Sequence, residues 1–203
     1  MPLLAVEESI RDSGLIAILR GSESDKLAQS GLEYANAGAY VLEVTLDSED
    51  PKAVFDELRE ALGSEYLLGV GTITEPYSQV KEIASWGAEF ALSPTNPEGF
   101  TRLCLENDIL PIPGCANPEE VAIAISQGAN MVKLFRANSD WNIDSLDGLL
   151  AKHPSVGFVP TGGVDPDGAK QWLERGAAAC GIGGTLTVEG VGRLMAWTAQ
   201  RRG

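Results

Sequence analysis

The stretch YVLEVTLDSEDPKAVFDELREAL, residues 40–62, contains a strand signal and a helix signal joined by a short polar connection. Residues 40–46 are mostly β-branched or apolar, and beyond Pro51 apolar side chains return every three or four positions. Asp50 before Pro51 marks a helix start, because its carboxylate can accept a bond from a free backbone N–H and proline presets the first turn. The stretch therefore predicts a strand–loop–helix unit.

The same unit recurs along the chain at nearly even intervals. Further Asn-Pro or Asp-Pro helix starts occur at Asn96, Asn117 and Asp165. The eight runs with strand character are LIAILR (15–20), YVLEVTL (40–46), YLLGVGTI (66–73), FALSP (90–94), LPIPGC (110–115), MVKLFRA (131–137), GFVPTGG (157–163) and ACGIGG (179–184). These runs are too continuously apolar for a sheet with one wet face, which indicates parallel strands covered by helices.

Eight such units predict an α/β fold, a closed (β/α)8 TIM barrel formed by residues 1–203 as a single domain. A short N-terminal helix over VEESIRDSG (6–14) is expected to cap one end, and residues 188–202 are expected to form the closing helix. A doubly wound open sheet is the alternative, because periodicity cannot show whether the first and last strands pair. Against it, GVGTIT (69–74) lacks the third glycine of a dinucleotide fingerprint, and no P-loop pattern occurs.

The charge balance limits the partners of the protein. Asp and Glu number 29 against 15 Lys and Arg, which gives a formal net charge of -14. Such a molecule repels nucleic acids and anionic membrane surfaces, so neither is expected as a partner. A small anionic substrate can still bind where a few cations and backbone N–H groups converge in a cleft.

The sequence predicts no metal site and requires no cofactor. The one histidine, His153, precedes a proline in a loop, and no Cys-x-x-Cys pair occurs. Three widely spaced cysteines with apolar neighbours are typical of reduced packing thiols. No apolar run is long enough to span a membrane, and the first twelve residues do not resemble a signal peptide. We therefore expect a cytoplasmic protein.

Lys133 is the one lysine of six that lies within a strand run. If side chains alternate, Lys133 shares the barrel interior with Met131 and Phe135. Burial lowers the pKa of an ammonium, and a neutral amine in a dry pocket attacks ketones to form Schiff bases. Glu43, the one carboxylate inside a strand run, alternates onto a face with Thr45 and could move protons. The alternative is that Lys133 and Glu43 form a buried structural salt bridge.

Glycine pairs end the last two strand runs, in TGG (161–163) and GGT (183–185). Barrels of this kind often build phosphate sites from the backbone N–H groups of these loops. Tight turns also demand glycine, so the glycines alone do not decide between the two interpretations. The hydroxyls of Thr161 and Thr185 could hold substrate oxygens.

Taken in order, eight motifs resemble the 2-keto-3-deoxy-6-phosphogluconate / 4-hydroxy-2-oxoglutarate aldolases over nearly the whole chain. They are IAILRG (16–21), AGAYVLEVTL (37–46), GVGTI (69–73), GAEFALSP (87–94), PIPGCANPEE (111–120), VKLFRA (132–137), VPTGGV (159–164) and GIGGT (181–185). The resemblance implies a class I, pyruvate-forming enzyme of Entner–Doudoroff carbohydrate metabolism, a (β/α)8 barrel and a homotrimer.

The resemblance also implies roles for individual residues. Lys133 would form the Schiff base, and Glu43 would move protons. Thr72 would help to hold the keto-acid end, and Pro94 and Phe135 would line the pocket. The distal end or phosphate of the substrate would meet Thr161, Gly162, Gly163, Gly184 and Thr185.

Two positions depart from the family pattern. The family commonly has an arginine after EVTL that binds the pyruvate carboxylate, whereas this chain has Asp47, which is expected to repel that carboxylate. Arg136 stands where the family usually has proline. We predict that Arg20, at the end of the first strand, replaces the missing arginine. Arg136 is the weaker candidate, because alternation directs its side chain away from the interior.

These observations predict a lyase that cleaves 2-keto-3-deoxy-6-phosphogluconate and/or 4-hydroxy-2-oxoglutarate to pyruvate and an aldehyde. The nearest competing activity is decarboxylation of oxaloacetate by the same amine, because an enamine can form from either substrate. A phosphate-binding barrel isomerase with Glu43 as base and a non-catalytic keto-acid binder are also compatible with these residues.

Overall fold

The computed structural model of the protein describes residues 1–202, in which parallel strands and helices alternate. The strands are β1 (Leu15–Leu19), β2 (Val41–Thr45), β3 (Leu67–Gly71), β4 (Phe90–Leu92), β5 (Leu110–Ile112), β6 (Gly114–Cys115), β7 (Met131–Phe135), β8 (Gly157–Thr161) and β9 (Cys180–Ile182). The helices are α1 (Leu3–Ser13), α2 (Ser24–Asn36), α3 (Pro51–Leu62), α4 (Pro76–Trp86), α5 (Phe100–Glu106), α6 (Pro118–Ser126), α7 (Ser145–Lys152), α8 (Pro166–Glu174) and α9 (Val188–Arg202), with a 3-10 turn at Gly63–Glu65.

The sheet closes on itself. Its strand order is β5-β4-β3-β2-β1-β9-β8-β7-β6, and β1 pairs with β9 in the register Leu15 to Cys180. The two ends of this order, β5 and β6, are separated in the chain by Pro113 alone. Proline has no N–H to give to a ladder, so one barrel strand is divided into two short ones. The predicted (β/α)8 barrel is confirmed, and the open doubly wound sheet is wrong.

Three of the predicted helix starts are confirmed. The side chains of Asp50, Asn117 and Asp165 each accept a hydrogen bond from the backbone N–H three residues later, at 3.3, 2.9 and 2.7 Å. Each of these residues is followed by the proline that opens α3, α6 or α8. The cap and the proline together explain why these helices begin where they do.

The predicted start at Asn96 is wrong. Helix α5 begins only at Phe100, because Gly99 adopts a left-handed conformation with φ 79° and so interrupts a helix before that point. The side chain of Asn96 instead donates to Gln127 Oε1 at 2.8 Å. An Asn-Pro pair therefore marks a turn here and not a cap.

The barrel interior has an apolar lower half that α1 closes. Val6 and Ile10 of α1 are buried against inward-facing strand residues, so the predicted capping helix is confirmed. Burying each of these side chains stabilises the fold by about 1.5–3 kcal/mol. The inward-facing residues of this layer include Ile16, Val41, Leu67, Met131 and Val159.

A second apolar layer lies between the outer face of the strands and the surrounding helices. It holds the side chains that alternate with the interior set, such as Val44 and Leu134. No helix among residues 1–202 combines the length and the apolar character needed to cross a bilayer. The two layers fix the strands, and the strands in turn fix which side chains reach the open end of the barrel.

Candidate active site

A cavity of about 180 Å³ opens at the carboxyl ends of the strands, the end opposite to α1. Active sites of (β/α)8 barrels lie at this end. The cavity is lined by Ile18, Arg20, Glu43, Lys133, Phe135, Thr161, Gly162, Gly163, Val164, Gly181, Gly183, Gly184 and Thr185. Most of the side chains selected from the sequence therefore lie around one cavity.

Lys133 projects into this cavity from the centre of β7. Its side chain lies on the inner face, as the alternation predicts, and the residue is only 4% exposed. Its Nζ lies 4.6 Å from the centre of the Phe135 ring. Burial lowers the pKa of the Lys133 amine, although the negative charge of Glu43 acts in the opposite direction. The lowered pKa increases the fraction of neutral, nucleophilic amine near neutral pH.

Glu43 enters the same cavity from the centre of β2 and is 1% exposed. Burial raises the pKa of its carboxyl group, against the opposing effect of the positive charges of Lys133 and Arg20. Among residues 1–202, nothing donates a hydrogen bond to Glu43 Oε2. A buried oxygen without a partner carries a desolvation cost, and such costs are common where a ligand completes the site.

Gly71 provides the space for the Glu43 carboxylate. A Cβ added to Gly71 would overlap Glu43 Oε1, so any larger residue would displace the carboxylate. No role for Gly71 follows from the sequence motifs alone. The sequence feature that could have revealed its role is the alternation of Gly69 and Gly71 on the inner face of β3. Two missing side chains in a barrel interior leave a volume that another residue must fill.

Lys133 and Glu43 line the same cavity but do not form a salt bridge with each other. Each charge nevertheless shifts the pKa of the other group, and one oxygen of Glu43 has no partner. A structural ion pair would place the charges in contact and satisfy both groups with hydrogen bonds. The geometry therefore argues against a buried salt bridge and favours two groups that remain free to react.

Arg20 spans the rim of the cavity. Its Nε donates to Asp47 Oδ1 at 3.2 Å, and its Nη2 donates to Thr72 Oγ1 at 2.8 Å. Partial burial by itself raises the pKa of Asp47, but a hydrogen bond from Thr45 and the charge of Arg20 outweigh it, so this pKa is lowered. Asp47 is thus a carboxylate paired with the cation Arg20 at the rim of the cavity.

Arg136 lies outside the cavity lining, as the alternation predicts. Its Nε donates to Asp140 Oδ2 at 2.8 Å, and its side chain is largely exposed. Its backbone has φ 58°, a left-handed conformation that proline, with φ near −65°, cannot adopt. The departure from the family proline therefore comes with a backbone conformation at the end of β7 that proline could not adopt, and Arg20 is the arginine that lines the cavity.

The glycine loops after β8 and β9 form one wall of the cavity. Gly162 and Gly163 have φ of 89° and 80°, so a side chain at either position would be strained. Gly184 also lines the cavity, and no described atom other than those of its chain neighbours lies within 4 Å of a Cβ added there. The backbone at Gly184 is therefore open to a ligand on the side where other residues carry a side chain.

Thr161 and Thr185 also lie in this wall, but their hydroxyl protons are already used. Thr161 Oγ1 donates to the Val159 carbonyl at 3.2 Å, and Thr185 Oγ1 donates to the Val164 carbonyl at 3.0 Å. The hydroxyls in this state can only accept hydrogen bonds. Donors to an anion at this wall must therefore come from the backbone.

Two residues selected from the sequence, Thr72 and Pro94, are not part of the cavity lining. Thr72 reaches its edge only through the hydrogen bond to Arg20. Pro94 lies beyond the end of β4, where its carbonyl closely faces Gly114. Phe135, by contrast, lines the cavity next to Lys133.

The cysteines do not contribute nucleophiles. All three are buried and free, and burial raises the pKa of Cys104 and Cys115 to about 12 and raises that of Cys180 as well. A thiol with such a pKa is almost entirely protonated at neutral pH. In residues 1–202 no group of three or more His, Cys, Asp or Glu side chains is arranged to hold a metal ion.

Comparison with known protein families gives a match over most of the chain. The sequence model of the KDPG and KHG aldolase family matches residues 6–195. The chain belongs to this family. The resemblance inferred from the eight motifs is thereby confirmed, and with it the assignment to the aldolases.

Two aldolase relatives are 30% and 32% identical to the chain over the aligned residues. The 2-dehydro-3-deoxy-6-phosphogalactonate aldolase of Escherichia coli K12 is 30% identical over 173 residues, 85% of this chain and 83% of that protein. The KHG/KDPG aldolase of the same strain is 32% identical over 155 residues, 74% of this chain and 70% of that protein. The named relatives thus differ in substrate at similar identity.

A solved aldolase has the same fold. The KDPG aldolase from Legionella pneumophila, captured with pyruvate as a covalent carbinolamine intermediate, superposes with a TM-score of 0.80 at 25% identity. The match covers 95% of this chain and 97% of that one. The two chains therefore share the barrel over almost their whole length.

Proposed function

We propose that this protein is a class I aldolase that cleaves 2-keto-3-deoxy-6-phosphogluconate and/or 4-hydroxy-2-oxoglutarate to pyruvate and an aldehyde. One observation carries the proposal: a buried amine with a lowered pKa and a buried carboxylate with a raised pKa share a small cavity without neutralising each other by contact. Pairs of groups whose pKa values are displaced by their surroundings are typical of catalytic acids and bases.

In the proposed first half of the reaction, the neutral Lys133 amine attacks the C2 ketone of the substrate. The carbinolamine takes a proton from Glu43 and loses water to give a protonated Schiff base, whose positive nitrogen can accept an electron pair from the C3–C4 bond. Burial supports this step, because the same dry environment that lowers the pKa of Lys133 also excludes water that would hydrolyse the intermediate early.

In the second half, Glu43 accepts the proton of the C4 hydroxyl through a bridging water. The C3–C4 bond then breaks, the aldehyde leaves, and the electron pair forms an enamine of pyruvate. Glu43 returns the proton to C3, and hydrolysis of the Schiff base releases pyruvate and restores Lys133. The raised pKa of Glu43 suits a group that must both take and give a proton near neutral pH.

The two ends of the substrate meet different walls in this proposal. Arg20 binds the C1 carboxylate, and Thr72 positions Arg20 by accepting its Nη2 hydrogen bond. Phe135 packs against the pyruvate part next to Lys133, and Pro94 lies against Gly114, the β6 residue that pairs with Lys133. The distal group or phosphate is received by the loops with Thr161, Gly162, Gly163, Gly184 and Thr185.

Borohydride reduction in the presence of pyruvate, read by intact mass, tests the Schiff base. We expect one reduced pyruvate adduct on the wild-type chain, mapped by peptide mass to Lys133. The variant Lys133→Arg keeps a cation but cannot form the adduct, whereas Lys81→Arg changes an exposed lysine of α4 and should label fully. Absence of a wild-type adduct would contradict the proposal and favour the isomerase or the non-catalytic binder.

Assays on several substrates then order the lyase activities. We expect the highest kcat/KM on a 2-keto-3-deoxy-6-phosphosugar acid or on 4-hydroxy-2-oxoglutarate. The gluconate and galactonate forms should be assayed separately, because one aldolase relative is named for each. A higher kcat/KM on oxaloacetate than on all of these would make decarboxylation the principal activity.

We also propose that residues 1–203 form one domain that assembles as a homotrimer in the cytoplasm, with no nucleic acid or membrane partner. The family resemblance supports the trimer, and the net charge of -14 supports the absence of polyanionic partners. Light scattering should give about three times the chain mass of 21.5 kDa. A monomeric mass at micromolar concentration would contradict the trimer.

A further inference from the structure

The guanidinium of Arg20 uses only some of its hydrogen-bond donors within the protein. A guanidinium has five N–H donors. The Nε donor of Arg20 is used by Asp47 and shared with Thr45 Oγ1 at 3.4 Å, and one Nη2 donor is used by Thr72. Within residues 1–202, the Nη1 donors and the other Nη2 donor are left for a ligand in the cavity that Arg20 lines.

The acceptors that hold Arg20 are themselves fixed. The Thr45 side chain contributes a hydrogen bond to Asp47, and Thr45 Oγ1 lies 2.9 Å from Ser48 Oγ. Ser48 Oγ in turn accepts from the backbone N–H of Gly21, the residue after Arg20, at 3.3 Å. The loops that follow β1 and β2 are thereby joined to each other next to the pair. Asp47 is anchored by the same strand ends that present the cavity.

Thr72, on the other side of Arg20, has a conformation that indicates a functional constraint. Its φ is 63°, which is rare for a β-branched residue and costs about 1–3 kcal/mol. In this conformation its hydroxyl accepts the Arg20 Nη2 hydrogen bond. Two independent acceptors, Asp47 and Thr72, therefore fix both the position and the rotation of the guanidinium plane.

We propose that Asp47 is a positioning residue. It holds Arg20 at the rim of the cavity, with the free Nη donors of Arg20 directed towards the substrate carboxylate. This inference rests on the proposed function, since it assigns Arg20 to a keto acid. It reverses the simple expectation for an acidic residue at this place: Asp47 acts through Arg20 and helps to bind an anion. A flexible arginine without this anchor would lose side-chain freedom upon binding, at a cost in affinity.

The size of the effect is limited by solvent. The side chains of Arg20 and Asp47 are 54% and 49% exposed, so the pair is screened by water and salt. We therefore expect a change in affinity of about threefold to fivefold when the anchor is removed. The plateau rate of trapping should change much less, because Asp47 does not contact Lys133 and its charge has the smallest of the effects on the pKa of that amine.

The experiment measures borohydride trapping as a function of pyruvate concentration and separates the half-saturating concentration from the plateau rate. Asp47→Ala removes both the charge and the acceptor oxygen, whereas Asp47→Asn removes the charge and keeps an oxygen that can accept from Arg20 Nε. Glu49→Gln removes a charge from the same exposed loop without touching Arg20. Asp47→Ser, too short to reach Arg20, replaces Asp47→Ala if thermal unfolding shows that Asp47→Ala is not folded.

We expect the half-saturating concentration to rise about threefold to fivefold in Asp47→Ala and to stay near the wild-type value in Asp47→Asn and Glu49→Gln. Equal rises in Asp47→Ala and Asp47→Asn would assign the effect to charge and overturn the positioning role. An unchanged or lower value in Asp47→Ala would overturn it too, the lower value because Asp47 would then compete with the substrate for Arg20. Absence of an adduct in the wild type would instead reject the proposed function itself, and the role of Asp47 with it.

Discussion

The lower and upper halves of the barrel interior are built by the same strands and differ completely in chemistry. Met131 and Val41 lie in the lower half, in a dry apolar layer closed by α1. Two residues further along the same strands, about 6.6 Å away, stand Lys133 and Glu43. The lower half stabilises the barrel, and the upper half contains buried ionisable groups whose charged forms the fold disfavours. One strand can therefore serve structure and reactivity by its alternation alone.

The largest expected effect comes from making the upper half resemble the lower. Lys133→Met should abolish pyruvate trapping and lower the rate of aldol cleavage at least about 10³-fold, because residues 1–202 contain no second buried lysine. The free energy of unfolding at pH 6 should not fall, because an apolar side chain of similar length replaces an ammonium whose burial is unfavourable. Intact mass and urea unfolding measure the two results. A large loss of stability would show that Lys133 is a structural residue.

Glu43→Gln should separate the two halves of the reaction. Trapping should persist, while cleavage should slow by about 10²–10⁴-fold because the proton carrier is lost. The negative charge of Glu43 raises the pKa of Lys133, so its removal should lower that pKa further. Trapping rates measured against pH should then rise at lower pH than in the wild type. A shift to higher pH would contradict the electrostatic coupling of the pair.

Met131→Ala tests the opposite side of the comparison. Met131 is fully buried, so the variant should lose about 2–5 kcal/mol of unfolding free energy through the cavity that it leaves. The half-saturating pyruvate concentration should remain near the wild-type value as long as the chain is folded. Urea unfolding and trapping on the same sample measure both. A large change in affinity would mean that the two halves are mechanically coupled.

Thr72→Gly should give the smallest effect on stability. Glycine relieves the left-handed strain but loses the hydroxyl that holds Arg20, and the two contributions should leave the unfolding free energy within about 1 kcal/mol of the wild type. The half-saturating pyruvate concentration should rise by about the same factor as in Asp47→Ala. If stability falls by several kcal/mol, the strain at Thr72 is not stored for binding.

The sequence was sufficient to predict the barrel, its capping helix and the meeting of Lys133 with Glu43. These features depend on periodicity, and alternation places side chains without knowledge of distances. The start of α5 was mispredicted because Gly99, and not Asn96, decides where that helix begins. The partner of Asp47 was also missed, since an ion pair between two loop side chains depends on rotamers that no sequence pattern specifies.

The role of Gly71 lies between these cases. Alternation places it on the inner face of β3, but only coordinates show that the missing side chain is the space of a carboxylate. The left-handed conformation at Arg136 is likewise invisible in sequence, because arginine rarely adopts it. Positions that contradict local preference are common at functional sites, so such misses were to be expected around the cavity.

The helix α1 has a consequence for the far end of the molecule. Val6 and Ile10 seal the base of the same apolar column on which Lys133 stands. If that seal leaked, water could rise through the column and rehydrate the ammonium, and the amine would regain its proton at neutral pH. The reactivity of Lys133 at one end of the barrel thus depends on the exclusion of water at the other end. A substitution in α1 would lower that reactivity without contacting the cavity.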